Sequence, residues 1–157
     1  RGGEVAGEHT VSFIGDNDRV DLVDALGMDG VHLPSKSLPI EEVRCCLGSN
    51  RLIGKSVHSV GEAMHAEQAG ADFIVLGPIY DTPSKHSYGP PLGLQQVQEA
   101  SQYCHIPIYA IGGITPVRID EVKSSGAYGI ATISSIFQAT SPSEAAKYYT
   151  MKLGVTH

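Results

Sequence analysis

The chain has 157 residues, with 18% charged and 41% hydrophobic positions and a formal net charge of −6. That length and apolar content suit one domain with a sizeable core and exclude a disordered chain, while no apolar run is long enough to span a bilayer. The acidic balance argues against a nucleic-acid surface, so an anionic ligand must be held in a focused pocket by local dipoles and a few cations.

Residues 1–10 are polar and glycine-rich and read as an irregular start, with Arg1 in place of an initiator methionine. Strand-like apolar runs then recur at Val11 to Ile14, Val31 to Leu33, Leu52 to Ile53, Phe73 to Leu76, Ile106 to Ile111 and Ile130 to Ile133, with helical patterning between them. Short apolar runs alternating with helices predict a parallel sheet. The stretches beginning Gly27-Met28-Asp29, Gly70-Ala71-Asp72 and Gly126-Ala127-Tyr128 repeat one punctuation, a glycine that ends a helix followed by a short turn into a strand.

Helix starts support this parsing. Ser59 with Glu62 and Ser141 with Glu144 have capping-box spacing, and Thr115-Pro116 predicts a cap followed by proline at the first helical position. Helices are predicted over Leu92 to Tyr103, Pro116 to Ser124 and Pro142 to Leu153, the last with Ala145, Ala146, Tyr149 and Leu153 toward the core. Strand starts roughly 21 residues apart match the compact repeat of a (β/α) barrel. The chain therefore reads as a single domain, 1–157, of TIM-barrel type with about six strand–helix units where a closed barrel has eight, the first two expected to be lacking. Cys45, Cys46 and Cys104 are odd in number and lack CxxC spacing, which predicts a reducing, cytoplasmic setting. Cys45 and Cys46 are expected to pack a helix against the core.

Barrel active sites lie at the carboxyl ends of the strands. After the run Phe73 to Leu76 come Thr82, Ser84 and Lys85, two hydroxyls and an ammonium in a loop whose freedom Pro78 and Pro83 restrict. Taken alone this stretch also fits an ordinary polar turn. Next along the barrel, Gly112-Gly113 lets backbone N–H groups approach an anion, and Ile133-Ser134-Ser135 opens a helix after the last strand. Together these loops predict a convergent phosphate site.

On the other side of the mouth, Asp16, Asn17 and Asp18 follow the first strand and fit either a Mg²⁺-linked phosphate contact or a helix cap. Arg19 and Asp21 fit a solvated pair. Ser56 is a further strand-end hydroxyl, and His58 beyond it reads as structural. The remaining histidines show no i, i+4 metal pairing.

The motifs Asn17-Asp18-Arg19-Val20-Asp21, Asp29-Gly30-Val31-His32-Leu33, Ile53-Gly54-Lys55-Ser56, Gly77-Pro78-Ile79-Tyr80-Asp81-Thr82-Pro83-Ser84-Lys85, Ile111-Gly112-Gly113-Ile114-Thr115 and Ile133-Ser134-Ser135 resemble, in order, those of the thiamine phosphate synthase/TenI family. The resemblance spans roughly residues 13 to 153 and implies a TIM barrel. It also implies small phosphorylated partners, hydroxymethylpyrimidine diphosphate and hydroxyethylthiazole phosphate, joined with loss of pyrophosphate in the presence of Mg²⁺. By that resemblance Lys85, Asn17 and Ser56 would act at the pyrophosphate as the catalytic set, and Asp18 would hold Mg²⁺. Thr82, Ser84, Lys85, Gly112, Gly113, Ile133 and Ser134 would line the phosphate sites.

Three positions differ within the family. Ser37 stands where the synthases carry a second Mg²⁺ carboxylate, as in the TenI branch, and the synthases' basic Gln-x-Arg-x-Lys strand does not precede Val11. Pro78 matches the synthases and replaces the His that TenI-type thiazole tautomerases use. The alternatives are therefore a tautomerase, with His58 as the nearest acid/base group, or a non-catalytic thiazole-phosphate binder. The edges of an incomplete barrel also leave self-association into a homo-oligomer open.

Overall fold

The computed structural model describes residues 19–82 and 90–154, apart from the side chain of Asp24. The expected first strand, Val11 to Ile14, lies outside the described residues.

Among the described residues five strands form one sheet: β1 (Gly30–Leu33), β2 (Leu52–Val57), β3 (Phe73–Leu76), β4 (Ile108–Ile111) and β5 (Gly129–Ala131). Their order in the sheet is their order in sequence, and every pairing is parallel. A doubly wound sheet would reverse direction at a switch point, whereas a (β/α) barrel advances one strand at a time around its axis. The helix α1 (Val20–Ala25) precedes β1, the helices α2 (Ile40–Leu47), α3 (Val60–Gln68), α4 (Gly93–Tyr103) and α5 (Ile119–Ser124) are the crossovers, and α6 (Ser134–Phe137) and α7 (Pro142–Leu153) follow β5. The fold is of TIM-barrel type.

Strand alternation divides the two faces of the sheet. Val31, Leu33, Ile53, Val57, Ile74, Leu76, Ile108 and Ala110 are buried beneath the helices, where they meet Val43, Ala63, Val97 and Val122. The alternate positions His32, Ser56, Phe73, Val75, Tyr109 and Ile111 are half-buried on the other face. Along it His32 stacks on Phe73 at 6.1 Å, Phe73 meets Tyr109 edge-on at 5.7 Å, and Tyr109 meets Tyr128 at 5.6 Å. Edge-on contact suits the ring quadrupole and ties β3 to β4 and β4 to the start of β5, while the stacked pair reaches from β1 across β2 to β3.

The element expectations hold with local corrections. The Ser59 cap forms: its hydroxyl accepts from the Glu62 N–H, while the Glu62 carboxylate reaches back to the N–H of His58, one residue before the cap. Neither Thr115 nor Ser141 makes a side-chain cap bond, although both precede a proline at the helix start. The segment from Pro116 begins as a 3-10 turn through Arg118 and becomes α-helical only at Ile119. Cys45 and Cys46 are exposed, against expectation, because α2 buries the face formed by Ile40, Val43 and Leu47 and both thiols fall off that stripe. Arg19 and Asp21 do pair at the surface, and the guanidinium holds the Asp21 carboxyl below its usual range.

A side-chain clamp secures the amino-terminal ends of β2 and β3. Arg44 on α2 donates to the carbonyls of Gly48, Arg51 and Gly70 and to the Asp72 carboxylate, which also accepts from the N–H of Ile53.

Candidate functional site

The loops after β3, β4 and β5 converge on a cavity of about 610 Å³. Thr82, Gly112, Gly113, Ile133 and Ser134 all line it, so five of the expected phosphate-site residues lie together. Ser84, Lys85, Asn17 and Asp18 lie outside the described residues.

Backbone bonds fix this convergence. The N–H groups of Ile79 and Tyr80 donate to the carbonyls of Ile111 and Gly112, laying the loop after β3 against the loop after β4. Where the chain returns before α4, the N–H groups of Leu92 and Gly93 donate to Pro78 and Ile79. Such close packing requires glycine. A Cβ on Gly112 would stand 2.7 Å from the Pro78 ring, and one on Gly113 would stand 2.7 Å from the Asp81 carbonyl oxygen. Both residues have positive φ, 100° and 64°.

The polar lining suits an anion. Thr82 is buried at the wall, and Thr132 and Ser135 share a hydrogen bond beside the exposed Ser134. Among the described residues lining the cavity, Arg118 is the one cation and Asp81 the one carboxylate. The Arg118 guanidinium lies 4.2 Å from the centre of the Tyr80 ring and donates to the Gly113 carbonyl at 2.7 Å. Tyr80 in turn donates to Glu121, and its hydroxyl is pushed up to about 12, by burial first and then by the Glu121 carboxylate, with Arg118 opposing. Sequence reasoning passed over Arg118. Its signal was its position six residues after Gly112, one turn beyond the glycine loop.

The two helical starts expected to supply dipoles are short. The turn after Thr115 spans three 3-10 residues and α6 four residues, so any attraction for an anion rests on individual N–H and O–H donors more than on a macrodipole.

Ser56 occupies a separate place. It lines a second cavity of about 320 Å³ with Ser35, Ser37, Lys55 and Glu62, and its hydroxyl is 2.8 Å from Nε2 of His32. The Lys55 ammonium donates to the carbonyl of Pro34. His58 contacts the Gly77 carbonyl through Nδ1, and because a carbonyl only accepts, that nitrogen carries the proton. His58 thus holds the strand end that leads into Pro78, the structural role expected of it.

Among the described residues no group of three or more His, Cys, Asp or Glu side chains could hold a metal ion, and no helix is long and apolar enough to cross a membrane. Ser37 contributes a hydroxyl to the second cavity at the position where the resemblance placed a carboxylate.

A family model described as thiamine monophosphate synthase matches residues 4–136. The chain belongs to that family. A relative from Geobacter sulfurreducens, whose name assigns thiamine-phosphate synthase only provisionally, is 47% identical over 131 residues, which make up 83% of this chain and 62% of the relative. The thiamine-phosphate synthase of Synechococcus sp. CC9311 is 41% identical over 131 residues, 83% of this chain and 37% of that protein. Among solved structures, thiamine phosphate pyrophosphorylase from Pyrococcus furiosus matches with a TM-score of 0.79 and 33% identity over 88% of this chain and 65% of that one. The chain thus spans less than two thirds of the length of these relatives. A 3-hexulose-6-phosphate synthase, at 18% identity and a TM-score of 0.67 over 85% of this chain and 66% of that one, shares the fold alone.

Proposed function

We propose that this chain is a thiamine phosphate synthase-type transferase, joining hydroxymethylpyrimidine diphosphate to hydroxyethylthiazole phosphate with release of pyrophosphate. The observation that carries the proposal is the cavity at the ends of β3, β4 and β5, which gathers Thr82, Gly112, Gly113, Ile133 and Ser134 around a space with few charges and many donors. Such a site suits a phosphomonoester: the hydroxyls and loop N–H groups meet its oxygens, and Arg118 offsets its charge.

The chemistry asks mainly for positioning and for neutralising a departing anion. Loss of pyrophosphate leaves a pyrimidine cation, which the thiazole nitrogen captures while the thiazole phosphate is held in the cavity. In this reading Ser84 and Lys85 extend the same loop beyond Thr82, with Lys85 meeting both phosphate groups. Asn17 and Ser56 contact the pyrophosphate, and the His32 imidazole keeps the Ser56 hydroxyl in place. Mg²⁺ would add charge neutralisation at the leaving group, with Asp18 as its carboxylate. The described residues lining the cavity beside Ser56 include two carboxylates, Glu41 and Glu62, but the Glu62 carboxylate accepts from the N–H of His58 and no group of three metal-ligating side chains forms among the described residues, so no step is routed through the metal.

Incubating the chain with both substrates and Mg²⁺ tests the reading. Thiamine phosphate and pyrophosphate should form in equal amounts, and Lys85→Ala should lower kcat at least tenfold. The idea fails if no product forms under conditions where the chain still binds thiazole phosphate. That last outcome supports the second reading, a thiazole-phosphate binder without catalysis, which the gathered phosphate cavity, together with Ser37 standing where the resemblance places a carboxylate, favours. Pro78, and the engagement of His58 with Gly77, speak against the tautomerase alternative.

A further inference from the structure

Three consecutive carbonyls of the glycine loop are held from outside it. Gly112 O accepts from the N–H of Tyr80 at 3.0 Å, Gly113 O from the Arg118 guanidinium at 2.7 Å, and Ile114 O from the Tyr149 hydroxyl at 3.0 Å. Tyr149 is 3% exposed and lies on α7, 35 residues away in sequence. The Ser135 hydroxyl stands farther from the same oxygen, at 3.5 Å.

These peptide bonds are trans, so each carbonyl and the N–H of the next residue point to opposite sides of one rigid plane. Holding the carbonyls of Gly112, Gly113 and Ile114 therefore fixes the N–H directions of Gly113, Ile114 and Thr115. Among the described residues these three N–H groups make no hydrogen bond, and all three residues line the cavity. A buried loop normally pairs its donors. Here the carbonyl side is satisfied by the body of the protein, and the donors, on three residues that line the cavity, have no partner among the described residues.

We propose that Arg118 and Tyr149 are positioning residues that aim the Gly113, Ile114 and Thr115 N–H groups at an anionic oxygen, Tyr149 acting through the Ile114 carbonyl and Arg118 through the Gly113 carbonyl. This rests on the phosphate reading of the cavity and adds a reason for α7 to pack where it does. The Tyr80 face supports the guanidinium from behind, so a lysine at 118 would keep the charge and lose the planar geometry that reaches the carbonyl.

The test is titration of the full chain with inorganic phosphate, read from the ¹⁵N–¹H resonances of residues 113–115, in the wild type, Tyr149→Phe and Arg118→Lys. Neither substitution changes the charge. Phosphate affinity should fall about five- to tenfold in each variant, the range expected when one hydrogen bond's worth of orientation is lost. The three amide resonances should also move in the ligand-free variants, while thermal melts remain cooperative. A purely structural role would lower the melting temperature and leave affinity, measured well below it, unchanged. Wild-type affinity in either variant removes that residue from the role. Absence of any phosphate response at 113–115 in the wild type overturns the phosphate site itself.

Discussion

Tyr80 concentrates several constraints in one side chain. Its ring carries Arg118, its hydroxyl donates to Glu121, and its N–H holds Gly112. Because its hydroxyl is pushed up to about 12, the folded chain keeps that proton at a pH where an unfolded tyrosine, near 10, has lost it. The folded state then binds more protons than the unfolded one, so this contribution is complete below about pH 10 and is lost as pH rises through about 12. Urea midpoints measured from pH 9 to 12 should fall, and Tyr80→Phe should flatten part of that slope. Tyr109, also raised by burial, should account for part of the remainder. An unchanged slope in Tyr80→Phe would show that the Tyr80 hydroxyl titrates alike in the folded and unfolded states. Gly113 sets a harder limit at this scale. Its φ is 64°, and a methyl group there would meet the Asp81 carbonyl oxygen at 2.7 Å. Gly113→Ala should therefore destabilise the chain by about 1 kcal/mol or more and abolish phosphate binding, as chemical denaturation and calorimetry would report.

At the scale of elements, the strand ends were the legible part. Phe73 to Leu76 forms the strand its apolar run announced, and Thr82 after it falls on one cavity with Gly112, Gly113 and Ser134 because parallel strands of a barrel all finish at the same face. What joins the elements was not legible. Arg44 meets Asp72 across 28 residues and Tyr149 meets Ile114 across 35, and neither pair leaves a periodic mark that local patterning reads. Cys45 and Cys46 show the same limit at short range, since the phase of a helix is set by what it packs against. The Arg44 clamp should be costly to remove. Arg44→Met keeps the aliphatic stem but strips donors from three carbonyls and leaves the Asp72 carboxylate with only the Ile53 N–H, so denaturation should show a loss of about 2 kcal/mol. A loss below about 0.5 kcal/mol would mean that water replaces the guanidinium well.

For the molecule as a whole, the charge balance and the site pull in opposite directions. A chain of net charge −6 repels phosphate at long range, yet its cavity gathers neutral donors around a single described cation. Short hydrogen bonds are screened far less than distant charges. Phosphate affinity should therefore change by less than about threefold between roughly 0.05 and 0.15 M salt, where a basic multi-cation site would lose much more. Calorimetry at the two ionic strengths decides it, and a steep loss would shift the weight from the donors to Lys85 and Arg118. Composition foretold a focused pocket, and spacing foretold the barrel architecture. The divided faces of the sheet, one mostly buried beneath the helices and one bearing the His32, Phe73, Tyr109 and Tyr128 ladder, depend on packing that no single segment encodes.

The two backbone anchors beside the cavity have a practical consequence. Because Ile79 and Tyr80 are tied to the loop after β4, while Leu92 and Gly93 are tied back to Pro78 and Ile79, the start of α4 is moored to the same strand end that carries the cavity wall. A substitution at the first turn of α4 should therefore be felt at the cavity through two backbone bonds, without the altered side chain ever meeting a ligand.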